Sequence, residues 1–408
     1  MSEVSQSAGQ LFEPAALGPV RLRNRIIKAA TFEGLSRRGA VTDALIDFHR
    51  AFAAGGVGLT TLAYCAVSPE GRGAPNEIVL DRPAVPGLRR LADAVHAEGA
   101  AISAQIGHAG PVGQRRITGS KPLCASSGLS PLGTRYHAMT AADIERVLRD
   151  FATGAQVVAQ AGFDAIELHM GHHYLLNSFL SPKFNRRKDQ WGGSIENRAR
   201  FPRAVARAVR EAAGDRIAVT AKFEMDDGVP GGLRPGDSLE LARLLEADGT
   251  LDALQLTGGG SLANPMFLFR GDVPRDEFAA TLPPALRAGF RLVGGRFLRE
   301  YPFEEAYFRP SAQQFLQALS IPLILLGGIT RLDTMTQAIS DGFAFVALGR
   351  ALLREPDLVT KLGQDESHES LCIHCNKCMP TIYRGTHCVL VSPQDRPGLR
   401  ILPSGSAR

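Results

Sequence analysis

Three histidines and a tyrosine stand close together in the stretch HMGHHYLLNSFLSP, which begins at His169 and ends at Pro182. They are His169, His172, His173 and Tyr174. Imidazoles at this density could ligate a metal, fill a core or hold a substrate. A zinc site would need a third ligand, and usually a helical spacing of four or a cysteine partner nearby. Neither is visible in the sequence. Core histidines would be less concentrated.

A second group of chemically competent residues lies near the C-terminus. Six cysteines are present, Cys65, Cys124, Cys372, Cys375, Cys378 and Cys388, and the last four crowd into CIHCNKCMPTIYRGTHC. Cys-x2-Cys-x2-Cys followed by a more distant cysteine is typical of iron–sulfur ligation. Four thiolates also suit zinc as a structural clip, and reduced relics are a third reading. Some metal is favoured over none, with a [4Fe–4S] cluster ahead of zinc. Cys65 and Cys124 are lone thiols and read as packing residues.

The chain that must position these groups has 408 residues, 44% apolar and 21% charged, ordinary for a globular protein. Its net charge of +5 is spread along the chain without a basic tract interleaved with aromatics, so no nucleic-acid partner is expected. The N-terminal MSEVSQSAGQLFEPAAL has no basic region followed by an apolar run. The longest apolar candidate, IPLILLGGI at 321–329, is strand-sized. Neither export nor a membrane is expected, and a cytoplasmic location follows.

Eight short runs rich in β-branched residues recur along the chain: NRIIKAAT, GLTTLAYCAV, AISAQIGHA, FDAIELHM, IAVTAKF, LDALQLTGGG, IPLILLGG and FAFVALG. Amphipathic helical patterns precede several of them, at 86–99, 141–162, 194–214 and 330–342. This repetition predicts a (β/α)8 barrel over residues 1–365 and a cysteine-rich extension, 366–408, packed on it. The gap at about 258–310 is too long for one crossover and carries many aromatics. It reads equally as a lid over the barrel mouth or as a helical insertion with its own small core.

In such a barrel, chemistry sits at the C-terminal ends of the strands. That rule selects Thr31, Phe32, Tyr64, Cys65, Gln105, His108, His169, His172, Lys222, Thr257, Gly327, Gly328, Gly349 and Arg350. The glycines after the last two strands, Gly327–Gly328 and Gly349, the latter followed by Arg350, suit a phosphate approaching helix N-termini.

These residues resemble the Old Yellow Enzyme family of FMN-dependent ene reductases and NAD(P)H:flavin oxidoreductases. The resemblance runs through LRNRIIKAATF, GGVGLTTLAYCAVSPEGR, AQIGHAG and VALGRALLREPDL. Its most specific part is IELHMGHHYLLNSFLSPKFNRRKDQWGGSIENRARF. It implies that Ala29, Ala30 and Thr31 face an FMN with Tyr64 close by. Gln105 and Lys222 would meet the pyrimidine edge, and Gly327, Gly328, Gly349 and Arg350 would hold the phosphate. An amide can both donate and accept, and a fixed cation favours the anionic reduced ring. His169 and His172 would bind a substrate carbonyl or nitro oxygen, and Tyr174 would protonate the α-carbon of an activated alkene. Phe32 stands where many relatives have a hydrogen-bonding threonine or cysteine, which implies a lower flavin potential unless Thr31 substitutes.

The cysteine segment resembles that of the 2,4-dienoyl-CoA reductase and trimethylamine dehydrogenase branch, with Cys372, Cys375, Cys378 and Cys388 as ligands. The fourth cysteine comes sooner than in that branch, and no G-x-G-x-x-G after a strand marks a second flavin domain. The expected activity is ping-pong reduction of enones or similar alkenes by NAD(P)H. The nearest alternative is a dehydrogenase or demethylase that exports electrons through the cluster to a partner protein. A flavin-binding module without turnover is a third reading. A homo-oligomer is expected.

Overall fold

The predicted strands form where aliphatic residues run without a break. They are β1 (Ile26–Lys28), β2 (Leu59–Ala66), β3 (Ala101–Gly107), β4 (Ala165–Met170), β5 (Ala218–Glu224), β6 (Ala253–Thr257), β7 (Leu323–Leu326) and β8 (Phe345–Leu348). In this computed structural model, which describes residues 9–130 and 133–399, neighbouring strands pair in parallel. β8 and β2 both pair with β1, so the sheet closes on itself. The polar N-terminal stretch before Gly9 and residues 400–408 of the predicted extension lie outside the described residues.

Closure explains the composition of the strands. Each is covered by helices outside and by other strands' side chains inside, so β2, β4, β5 and β6 are buried at every position. An inner layer of Ile27, Leu59, Ala165, Ala218, Ala253, Ile324 and Phe345 fills the N-terminal end of the barrel. An antiparallel hairpin, Ala15–Leu17 with Val20–Leu22, packs into the same layer as a floor. Each fully buried leucine or phenylalanine contributes roughly 1.5–3 kcal/mol.

The connecting helices start where their sequences say. The Thr42 hydroxyl accepts from Leu45 N at the head of Asp43–Ala54. Thr140 and Asp143 form a reciprocal capping box on Ala141–Gln160. Ser194 caps Ile195–Ala213.

The long gap after β6 folds as short helices, Pro265–Leu268, Arg275–Thr281 and Pro284–Val293. Met266 and Leu298 form a small separate core there, with Phe269, Phe278 and Tyr301 against it. Met379 of the C-terminal segment completes that core. The insertion and the cysteine segment therefore pack as one body. His374 stacks on Phe303 with ring centroids 3.4 Å apart, and Asn376 Nδ2 donates to the carbonyls of Phe269 and Asp272. Among the described residues, no helix is long and apolar enough to cross a membrane.

Candidate active site

Parallel register places the inward-facing polar residues side by side at the C-terminal half of the barrel. Gln105 on β3 pairs with Glu167 on β4, His169 on β4 with Lys222 on β5, and Lys222 with Gln255 on β6. Alternation along β4 puts Glu167 and His169 on the same face. Glu167 is the hub of this layer. Its Oε1 accepts from Gln105 Nε2 at 2.7 Å and lies 3.3 Å from Lys222 Nζ, and its Oε2 accepts from Gln255 Nε2 at 2.6 Å. Neither Glu167 nor Gln255 was selected from the sequence. The signal available was the two-residue spacing from His169.

The segment after β4 carries the histidines and the tyrosine. His172 and His173 both have left-handed backbone, with φ of 57° and 67°. Asn177 Oδ1 accepts from His173 N, and Glu224 Oε2 accepts from His172 N at 2.6 Å. Burial, reinforced by the Asp227 charge, raises the Glu224 carboxyl well above the usual carboxylate range.

His169 and His172 face each other edge-on with centroids 5.2 Å apart. Burial holds both well below the ordinary histidine pKa, reinforced at His169 by the charges of His172 and Lys222 and at His172 by those of Lys222 and His173. His169 Nδ1 accepts from Gly171 N, which places the proton on Nε2. His172 Nε2 is engaged with Thr257 Oγ1 at 2.9 Å. Tyr174 stacks on His169 at 4.1 Å and meets Tyr64 edge-on at 5.4 Å. His173 is directed elsewhere: it is fully buried against Phe184, 4.0 Å from Asp227 Oδ1.

Phe32, Tyr64, Tyr174 and Ala30 form one patch with Ala63. The Tyr64 hydroxyl donates to Gly71 O at 2.7 Å. Ala29 N donates to Leu348 O, which ties β1 to β8 at the mouth. The carboxylate of Glu33 accepts from Ala63 N and pairs with Lys28 Nζ at 3.3 Å. Burial alone would raise this carboxyl, but Lys28 and His49 outweigh it and hold it below the usual range. This buried pair beneath the mouth was also invisible to motif reading. Thr386 of the C-terminal segment hydrogen-bonds both Phe32 O and Glu33 O, so that segment walls the mouth.

At the other end, Gly327 and Gly328 adopt φ of 112° and 71°. A Cβ on either would meet Tyr307 or Phe308 within 2.9 Å, so the backbone there is bare because nothing else fits. Gly349 opens the helix Arg350–Arg354 after β8. The Arg350 side chain bridges this region and the C-terminal segment: Nη1 donates to Arg270 O and to Asn376 Oδ1, and Nη2 lies 3.5 Å from the Tyr307 hydroxyl. Arg270, which the sequence reading missed, lies within 6 Å of the rings of Phe267, Tyr301, Tyr307 and Phe308. Its Nε is buried without a partner.

The donor set fits an FMN. Thr31 Oγ1 is a buried hydroxyl with no protein partner at the C-terminal end of β1. An amide and an ammonium face the mouth at Gln105 and Lys222, and a bare glycine cradle lies at the end where the phosphate is expected.

Cys372, Cys375, Cys378 and Cys388 line one pocket together with Arg350, Arg354 and Asn376. All four are free thiols. Among the described residues, no three histidine, cysteine, aspartate or glutamate side chains converge as they would around a single metal ion. Cys65 and Cys124 are buried in the packing, as expected.

Comparison with known proteins agrees with this architecture. The profile of the NADH:flavin oxidoreductase / NADH oxidase family matches residues 10–250. The chain is 56% identical to 4,4'-dithiodibutanoate disulfide reductase of Rhodococcus erythropolis, over 93% of this chain and 94% of that one. It is 32% identical to a metal reductase of Desulforamulus reducens over 92% of its length, but spans only 52% of that protein. It spans about half the length of several other relatives as well. Among solved structures, 2-naphthoyl-CoA reductase superposes with a TM-score of 0.81 at 23% identity, over 95% of this chain and 57% of that one, a likeness of fold. The chain thus belongs to the NADH:flavin oxidoreductase / NADH oxidase family, that of the Old Yellow Enzyme.

Proposed function

We propose that this flavin oxidoreductase takes reducing equivalents from NAD(P)H and passes them, in the same mouth, to a disulfide of a short organic acid. The match to a disulfide reductase along almost the whole of both chains carries this reading. Bound FMN would supply the two-electron relay between nicotinamide and acceptor.

The chain's own residues supply the rest. Thr31, Gln105 and Lys222 would hold the ring, while Gly327, Gly328 and Gly349 would take the phosphate, with Arg270 and Arg350 nearby. His169, neutral and protonated on Nε2, donates a hydrogen bond to the acceptor without adding charge. Tyr174 stands against it as the proton donor. Cleavage of the S–S bond takes two electrons and two protons and yields two thiols. A hydride equivalent from the reduced flavin would supply both electrons and one proton, and Tyr174 would give the second proton to the departing sulfur and recover it from solvent.

The imidazole pair also suits a carbonyl oxygen, which favours a second acceptor class, α,β-unsaturated carbonyl compounds. There the same phenol protonates the α-carbon as hydride reaches the β-carbon. The four cysteines of the C-terminal pocket would hold an iron–sulfur cluster. The four thiols line one pocket, and the Cys-x2-Cys-x2-Cys spacing with a more distant fourth cysteine is the pattern that supports this reading. Such a cluster would serve exchange with an electron-transfer partner.

Anaerobic turnover tests the acceptor class. With NADH or NADPH in excess, 4,4'-dithiodibutanoate should yield two thiols per nicotinamide oxidised. If no thiol forms while a cyclic enone is reduced, the alkene reading replaces the disulfide one.

A further inference from the structure

We infer that Glu167 is a positioning residue that tunes the flavin site: it fixes the orientation of the Gln105 amide and offsets the charge of Lys222. The inference rests on the flavin reading above and concerns only this chain's own side chains. Glu167 is about 4% exposed and lies on β4, two residues before His169. A carboxylate can only accept hydrogen bonds. Three donors converge on it, the amide nitrogens of Gln105 and Gln255 and the Lys222 ammonium, at 2.7, 2.6 and 3.3 Å.

Two consequences follow. An amide by itself could turn either end toward a ligand. Here the carboxylate compels the Gln105 nitrogen to face it, so the carbonyl oxygen at the opposite corner is the end offered to the mouth. Gln105 therefore presents an acceptor, suited to a ring N–H. Secondly, Lys222 is not an uncompensated cation. Lys222 and Glu167 are both buried, and charges a few ångströms apart in a poorly screened interior interact strongly. The negative partner sets how much positive potential Lys222 delivers to a ligand edge that gains electrons. Gln255 acts one step further back, because its donated hydrogen bond spreads the carboxylate's charge.

The substitution Glu167→Gln keeps the shape and removes the charge. The midpoint potential of bound FMN, read by equilibration with a reference dye, should shift positive. At a fixed solution potential the reduced-to-oxidised ratio should rise roughly tenfold. Lys222→Met should shift the potential the other way, and combining the two should bring it back toward the wild-type value. Gln255→Met, which leaves all charges in place, should give a smaller negative shift and serves if Glu167→Gln does not fold. An unchanged or more negative potential in folded Glu167→Gln that retains FMN overturns the inference, as does an unchanged potential in Gln255→Met. Retention of FMN and its bleaching by NAD(P)H in the wild-type protein are separate readouts. If they hold while the potential does not move, the flavin reading stands and the role of Glu167 falls.

Discussion

Individual residues around the mouth are held neutral by burial, and His108 shows the cost. It lies at the C-terminal end of β3, 2% exposed, with Nδ1 accepting from Gly110 N at 3.0 Å and Nε2 without a partner. Burial lowers its pKa to about 4. The unfolded chain takes up a proton near pH 6.5 that the folded chain refuses, so this contribution to stability is complete above pH 6.5 and is lost as pH falls. Between pH 7 and pH 5 it amounts to about 2 kcal/mol. His108→Asn preserves the acceptor with an amide oxygen and should remove that part of the pH dependence. Denaturant unfolding at both pH values checks this, and parallel losses in the two proteins would contradict it. The sequence made His169, His172, Tyr174, Gln105 and Lys222 legible because they stand at strand ends in a specific motif. Glu167, Gln255 and Glu33 were hidden, because a polar residue inside an apolar strand gives no clue to the partners that other strands bring. The amide orientation of Gln105 was likewise beyond reach, since the sequence shows both ends of an amide and the carboxylate selects one.

At the scale of elements, the eight strands and the helices 85–96, 141–160, 195–213 and 332–341 follow directly from apolar runs and caps. The insertion was not decidable in advance. Its aromatics suited a lid and a local core equally, and the contact that builds its small core, Met379 on Met266 and Leu298, joins segments about a hundred residues apart. The same contact gives the cysteine segment a role in structure. Asn376, 1% exposed, spends its side chain on Arg350, Phe269 and Asp272, so the cysteine pocket, the insertion and the last barrel loop share one joint. If that pocket holds a cluster, protein purified without oxygen should carry iron and acid-labile sulfide in a near one-to-one ratio. Cys378→Ser should lose both and keep the flavin. Full flavin with no iron or sulfide in the anaerobic wild-type protein would contradict the cluster.

For the molecule as a whole, closure of the sheet brings Gln105, Glu167, His169, Lys222 and Gln255 together toward the C-terminal end. The other end is filled with alanine, isoleucine and phenylalanine and floored by a hairpin. That asymmetry brings an amide, an ammonium, two imidazoles and a phenol together at the C-terminal mouth. The most direct measurement is an anaerobic stopped-flow experiment in two stages, on wild-type protein and on Tyr174→Phe. NADH or NADPH should bleach the blue absorption of the bound flavin at the same rate in both. On adding the disulfide, colour should return in the wild type and return roughly 10² to 10³ times more slowly in Tyr174→Phe. A protein that carries no flavin, that stays yellow with both nicotinamides, or that regains colour equally fast without the phenol would contradict the account.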